Sequence, residues 1–278
     1  MYGQKQPKIT GSSIIQKEKA VMNDSGIMEY VASHLSERRI LSCSTNETSF
    51  METPGGKVIV KRCLMKKDRL SPFWERIRFL FGLDISGGHP AMKEIISLYQ
   101  ENPHIPCTRL IGQAGDISVF SFMEGDSWEP DEFPQSAAIA RQLGRFIGFN
   151  HIRSGDFCGV PGQPNVEDFS ERLRAYVLSR LTRREAPEAV RRFLENGLAD
   201  TGYALIMTDI SANQFLFGGD SISACLDFDA CVFGPREWEL ELLEACISDM
   251  DAFREGYEEY LPYPDISKTG GLYDFVMN

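Results

Sequence analysis

The sequence predicts an α+β chain in two unequal parts, a small β-rich N-terminal part and a larger, mainly helical C-terminal part. Three observations predict it. Short β-type runs cluster early: ILSCS (40–44), TSFMET (48–53), KVIVKRC (57–63), CTRLIG (107–112) and ISVFSFM (117–123). Apolar residues at three-to-four spacing then dominate from 139 to 199, the period of amphipathic helices. Late in the chain, two short apolar runs flank a GGD turn at 218–220, which reads as a β-hairpin set among helices.

Each element has a local cause. Residues 1–25 are polar and read as an arm, and IMEYVASHL (27–35) has helix spacing. PGG at 54–56 joins the second and third strands, because Pro presets one turn dihedral and Gly supplies positive φ. FWERIRFLFGL, within 64–86, fits a helix weakly; PAMKEIISLYQEN (90–102) fits one clearly, with Pro90 at its start. EGDSWEPDEFP reads as a linker, so two lobes are expected, 26–124 and 125–278, with the boundary near Gly125. Helices are expected at 139–152, 166–181, 187–199 and, as one long element, 238–261.

Composition narrows the function classes. The 278 residues suffice for a sizeable core, with 42% hydrophobic and 25% charged residues. A net charge of −11 disfavours nucleic acid and anionic membranes as partners. The seven cysteines are scattered without a CxxC, and the four histidines form no HExxH, so no zinc-type spacing occurs. The loose, odd cysteine count points to a reducing, cytoplasmic setting. Neither a signal peptide nor a membrane span is expected, since the start lacks an apolar h-region and no 18-residue apolar stretch occurs.

Two stretches carry the chemistry. MTDISANQFLF (207–217) holds Asp209 in a polar break between apolar runs, and CLDFDAC (225–231) holds Asp227 and Asp229 within an apolar run. Buried carboxylates are costly unless paired, hydrogen-bonded or bound to a cation. A hairpin between Asp209 and Asp227 would bring both to one end of a cleft, where they repel unless a cation lies between them. In KVIVKRC, strand alternation puts Lys61 on a face with Ile59 and Cys63, opposite Val58, Val60 and Arg62. Lys61 is then either an edge lysine or an ion-pair partner in a cleft.

Together these stretches resemble the aminoglycoside phosphotransferase-type kinases, a small-molecule branch of the protein-kinase-like fold. The resemblance spans about residues 40–245 and rests on the order of TNETSFMETPGGKVIVKRC, SFMEGDSW, FNHIRSGDFCG, MTDISANQFLF and CLDFDACVFGPREWELELL. It implies a two-lobed kinase-like fold and an ATP-dependent transfer of the γ-phosphate to a hydroxyl, with magnesium. Lys61 would hold the α/β-phosphates, oriented by Glu94. Ser44 and Thr45 would lie in the turn over the phosphates, and Met123 in the linker against adenine. Asp209 would accept or orient the acceptor proton. Asp227 would hold magnesium, completed by Gln214 or Asn213; the ungapped count from Asp209 favours Gln214. Asp229 reads as a second metal contact or a structural carboxylate. Glu239 would cap or brace the loop, and His151 would support it.

The departures from the family pattern matter. Met207-Thr208-Asp209 stands where His-Gly-Asp is usual, and no full G-x-G-x-x-G loop is present. A nucleotide-binding pseudokinase or regulatory module is therefore the alternative, although retention of Lys61, Glu94, Asp209 and Asp227 argues against it. Protein phosphorylation is disfavoured, because the short segment after Asp227 leaves no room for a long activation segment. The resemblance implies a small-molecule acceptor, and the acidic stretches EGDSWEPDE (124–132) and EGYEEY (255–260) are compatible with a cationic one, aminoglycoside-like or an amino alcohol. A monomer or homodimer is expected.

Overall fold

The computed structural model describes residues 22–155, 157–163, 168–181, 186–198 and 202–277. Most of the expected polar arm, and the first residues of the helix expected at 166–181, lie outside this set.

The chain opens with α1 (Asp24–Ser33), capped by the Asn23 side chain, which accepts from the Gly26 N–H. Then come β1 (Arg39–Cys43), β2 (Asn46–Thr53), β3 (Gly56–Cys63), α2 (Pro72–Phe81), α3 (Met92–Gln100), β4 (Leu110–Ala114) and β5 (Ile117–Ser121). The five strands form one antiparallel sheet in the order β1-β2-β3-β5-β4. Thr53 pairs with Gly56 across the predicted Pro-Gly turn. A small core of Met51, Val58, Val60 and Val119 lies between this sheet and Ile27 and Val31 of α1.

The larger, helical part continues with β6 (Asp126–Ser127), α4 (Ala137–His151), β7 (Ser154–Gly155), α5 (Phe169–Leu181) and α6 (Glu188–Asn196). It ends with β8 (Tyr203–Met207), β9 (Phe215–Phe217), β10 (Ile222–Cys225), β11 (Cys231–Pro235), α7 (Arg236–Cys246), α8 (Met250–Tyr257) and α9 (Leu272–Met277). Its strands make two three-stranded sheets, β10-β9-β6 and β11-β8-β7. The small β-rich lobe and the larger helical lobe are those of a kinase-like fold. Among the described residues no helix is long and apolar enough to cross a membrane.

Two local expectations are corrected, and one strand is added to them. The single helix expected over 238–261 is two, α7 and α8. Asp249 caps α8 by accepting from the Ala252 N–H, and a side-chain cap of this kind starts a new helix. CVFGP forms β11, paired with β8 from Cys231↔Met207 to Pro235↔Tyr203. The linker contains β6, whose Asp126 and Ser127 pair with Phe217 and Leu216 of β9.

The weakly marked segment 64–86 does hold a helix. Ser71 accepts from the Trp74 N–H, Pro72 sits in the first turn, and Gly82 closes α2 at φ 73°. Although α2 lies in sequence between β3 and α3, its buried face joins the larger core. Phe81 stacks on Phe169 and meets Trp238 edge-on, each at 5.2 Å between ring centres. The Arg76 guanidinium donates to Tyr176 Oη and to the Met277 carbonyl, tying α2 to α5 and the C-terminal helix.

Helices α4 and α8 approach so closely that two glycines become obligatory. A Cβ on Gly144 would lie 2.0 Å from the Phe253 carbonyl oxygen, and one on Gly256 would lie 2.1 Å from that of Arg141. Both obstacles are backbone and cannot rotate away. Gly256→Ala is expected to cost at least the ~1–3 kcal/mol typical of overpacking, read as a lower urea midpoint at unchanged slope.

Candidate active site

The site is built where three strand ends meet. β8 delivers Met207-Thr208-Asp209, the β9–β10 hairpin leads to Asp227, and β3 supplies Lys61 from the other lobe. The loop after β8 is braced from beneath. The Met207 N–H donates to Glu239 Oε1 at 2.8 Å, and Glu239 Oε2 accepts from His151 Nε2 at 2.8 Å. His151 Nδ1 meets the Tyr257 hydroxyl at 3.0 Å. Trp238 Nε1 donates to the Thr208 carbonyl, while the Thr208 N–H and hydroxyl both donate to the Ala230 carbonyl. Met207 and Thr208 are fully buried, so the usual His-Gly is replaced by an apolar plug and a hydroxyl that ties the two loops together. The supporting parts suggested for His151 and Glu239 correspond to these contacts.

A cleft of about 750 Å³ runs between the lobes, a size that suits a nucleotide-sized ligand. Ile59, Phe122, Met123, Leu216 and Leu226 are among its lining residues, together with Ser44, Thr45, Asn46, Lys61, Asp209, Asp227 and Asp229. Ser44 is exposed and Thr45 half-buried in the β1–β2 turn. Thr45 Oγ1 accepts from Trp74 Nε1 at 3.0 Å, and its carbonyl accepts from the Leu64 N–H. The turn thus rests on α2. Trp74→Phe removes that donor and, because Trp74 is buried, also leaves a cavity where the larger indole stood, so a loss above the about 0.5–1.5 kcal/mol of the hydrogen bond alone is expected, read by urea unfolding.

Lys61 Nζ lies 2.8 Å from Asp227 Oδ1 and 3.3 Å from Asp229 Oδ2. Burial opposes the ammonium charge, but the two carboxylates outweigh it and raise the Lys61 pKa above its ordinary value. Burial also works against Asp227, yet Lys61 holds its carboxyl below the usual range. Among the described residues Asp209 has no such partner. Burial first, and then the Asp227 charge, push its carboxyl up to about 7. Asp229 is likewise raised by burial, although Lys61 opposes this.

The expected Lys61–Glu94 pair is not formed. The apolar stripe of Met92, Ile95, Ile96 and Tyr99 turns inward on α3, which leaves Glu94 exposed on the other face. The amides also divide. Gln214 is buried, its Oε1 accepting from the Ser211 N–H and its Nε2 donating to the Asp209 carbonyl. Asn213 is exposed, with Oδ1 accepting from Ser211 Oγ. Both line the cleft. The acidic stretch at 255–260 does not, because Glu255 and Glu259 pair with Arg141 and Arg145 of α4.

The sequence reading missed three residues at the site. Asn46 Nδ2 donates to Asp229 Oδ2 at 2.6 Å, Trp74 holds Thr45, and His89 Nε2 contacts the Asp229 carbonyl at 3.1 Å. Burial pushes His89 down to about 4, so it is neutral. Each of these contacts joins residues at least 29 positions apart, and only Asn46, next to the polar turn after β1, carried any local signal.

A small β-rich lobe over a larger helical one, with a lysine from the sheet facing two aspartates from the helical lobe, is the arrangement of a kinase-like fold. The chain belongs to the phosphotransferase enzyme family, whose profile matches residues 36–265. No curated protein matches. Among solved structures, the macrolide 2'-phosphotransferase MphH from Brachybacterium faecium is 12% identical, with 89% of this chain and 87% of that one covered and a TM-score of 0.59. The streptomycin–ATP ternary complex of APH(2")-IIa is 17% identical over 90% and 88%, with a TM-score of 0.53. A microcompartment-associated aminopropanol kinase is 16% identical over 90% and 86%, with a TM-score of 0.51. At these identities the likeness is one of fold.

Proposed function

We propose that this protein transfers the γ-phosphate of ATP to a hydroxyl of a small molecule. The observation that carries this reading is the convergence of Asp209, Asp227 and Lys61 on one interlobe cleft. Phosphoryl transfer needs alignment and charge neutralisation more than covalent chemistry from the protein. Lys61 binds the α/β-phosphates, and the Ser44-Thr45 turn offers hydroxyl and backbone donors beside them. Met123 and its apolar neighbours hold the base. Asp209 orients the acceptor hydroxyl and takes its proton.

The donor set suits magnesium. Asp227 is the more open of the two aspartates beside Lys61, with 39% of its side chain exposed. Among the described residues no three His, Cys, Asp or Glu side chains converge to hold a metal by themselves. Magnesium is commonly bound by one or two carboxylates together with substrate phosphates and water. Asp227, with an amide oxygen from Gln214 or Asn213, would hold it. When bound, magnesium supplies neutralisation of the phosphate charge.

The acceptor class follows from chemistry still to be tested. The macrolide, streptomycin and aminopropanol named for the similar structures all carry hydroxyls, so the assay pools such compounds with nucleosides and sugars. Purified protein with MgATP and the pool, read by mass spectrometry, is expected to add one phosphate to one acceptor. Asp209→Ala should abolish that gain. Retained MgATP binding without any phosphorylated product, across acceptors of every class, would favour a nucleotide-binding regulatory module instead.

A further inference from the structure

We infer that Asp229, not Glu94, is the standing anionic partner that positions Lys61, and that α3 acts on the lysine only indirectly, through His89 and Asp229. The carboxylate of Asp229 is 13% exposed and lies 3.3 Å from Lys61 Nζ. Asn46, the first residue of β2 and next to the β1–β2 turn, holds the same oxygen at 2.6 Å. From the other side, His89 fixes the Asp229 backbone. Its Nδ1 accepts from the Ala91 N–H, so the proton sits on Nε2 and is donated to the Asp229 carbonyl at 3.1 Å. The His89 carbonyl in turn accepts from Gln113 Nε2, which anchors it to β4. Asp229 is therefore held from the start of β2, from the start of α3 and by Lys61 itself.

Asp227 cannot serve as the standing partner. Although it is the nearer carboxylate at 2.8 Å, it is also the more open one and the candidate metal ligand, so a cation bound there would compete with Lys61 for its oxygens. Asp229 stays beside the lysine when Asp227 is recruited. The arrangement also couples the turn to the lysine, because one carboxylate oxygen receives both Asn46 and Lys61. Closing the turn over a phosphate and placing the ammonium then become a single event.

The nucleotide part of this inference rests on the phosphotransferase reading; the placement of the lysine does not. Asp229→Asn is expected to weaken MgATP binding about tenfold or more, the loss typical of a charge-assisted contact. Asp229→Glu should recover part of it. Glu94→Gln should leave affinity within about twofold, as for a solvated side chain. Titration calorimetry reads all three, with urea unfolding to show that each variant folds. A nucleotide-free test runs beside it. In urea unfolding, Lys61→Met and Asp229→Asn should be non-additive, whereas Lys61→Met and Glu94→Gln should add. Additivity for Asp229, or a Glu94→Gln loss in affinity as large as that of Asp229→Asn, would overturn the inference. If the wild-type protein binds no MgATP, the phosphotransferase reading fails and the unfolding cycle alone decides the lysine's partner.

Discussion

Asp209→Asn is expected to lower turnover of MgATP with a hydroxyl acceptor by about 10²–10⁴-fold, the range for loss of a positioned general base. The carboxylate sits in the loop between β8 and β9, on the cleft and apart from the Lys61 ion pairs. Asn has the same shape and keeps a hydrogen-bonding oxygen, but it cannot take a proton. ATP affinity should therefore hold while kcat collapses, the signature of an interaction made in the transition state rather than in the bound complex. Single-turnover phosphorylation, with calorimetry for the nucleotide, separates the two. A parallel loss of affinity would place Asp209 in nucleotide binding and remove it from the chemistry. Chelating magnesium should abolish turnover in the wild-type protein, because the neutralisation of phosphate charge proposed for a cation at Asp227 would be lost.

Glu239→Ala is expected to destabilise the protein by roughly 3 kcal/mol or more, because it leaves two buried hydrogen-bond partners unsatisfied at about 1–3 kcal/mol each. Glu239 and His151 are essentially fully buried, and the carboxylate bridges the His151 ring to the Met207 N–H. Truncation strands both partners in a dry core, and the cavity adds to the loss. Glu239→Gln keeps the shape and an acceptor and should cost less. Urea unfolding measures both variants. Because Met207 lies two residues before Asp209, the Gln variant should also slow phosphoryl transfer without weakening nucleotide binding. A Glu239→Ala variant as stable as the wild type would show that the network contributes little.

These two predictions differ in how early they could be made. Asp209 was readable from its polar break between apolar runs. Glu239 was noted only as a brace, because nothing along the chain shows that it meets a residue 88 positions earlier.

Sequence alone determined the two-part α+β organisation, the order of the β2–β3 hairpin, Lys61 and the late aspartates, and the side of β3 on which Lys61 stands. These are matters of local periodicity and turn chemistry, in which neighbours in sequence are neighbours in space. It also marked the start of α8 poorly, since the Asp249 cap lies inside a run whose apolar spacing continues past it. Tertiary structure decided the partners. It turned Glu94 outward, because packing of Ile95, Ile96 and Tyr99 sets the rotation of α3. It brought Asn46 and His89 to Asp229 across 183 and 140 residues. It also paired Glu255 and Glu259 with α4 rather than with the cleft. A side chain's period says which face it occupies; which group waits on that face depends on how distant elements pack, and that information is not local.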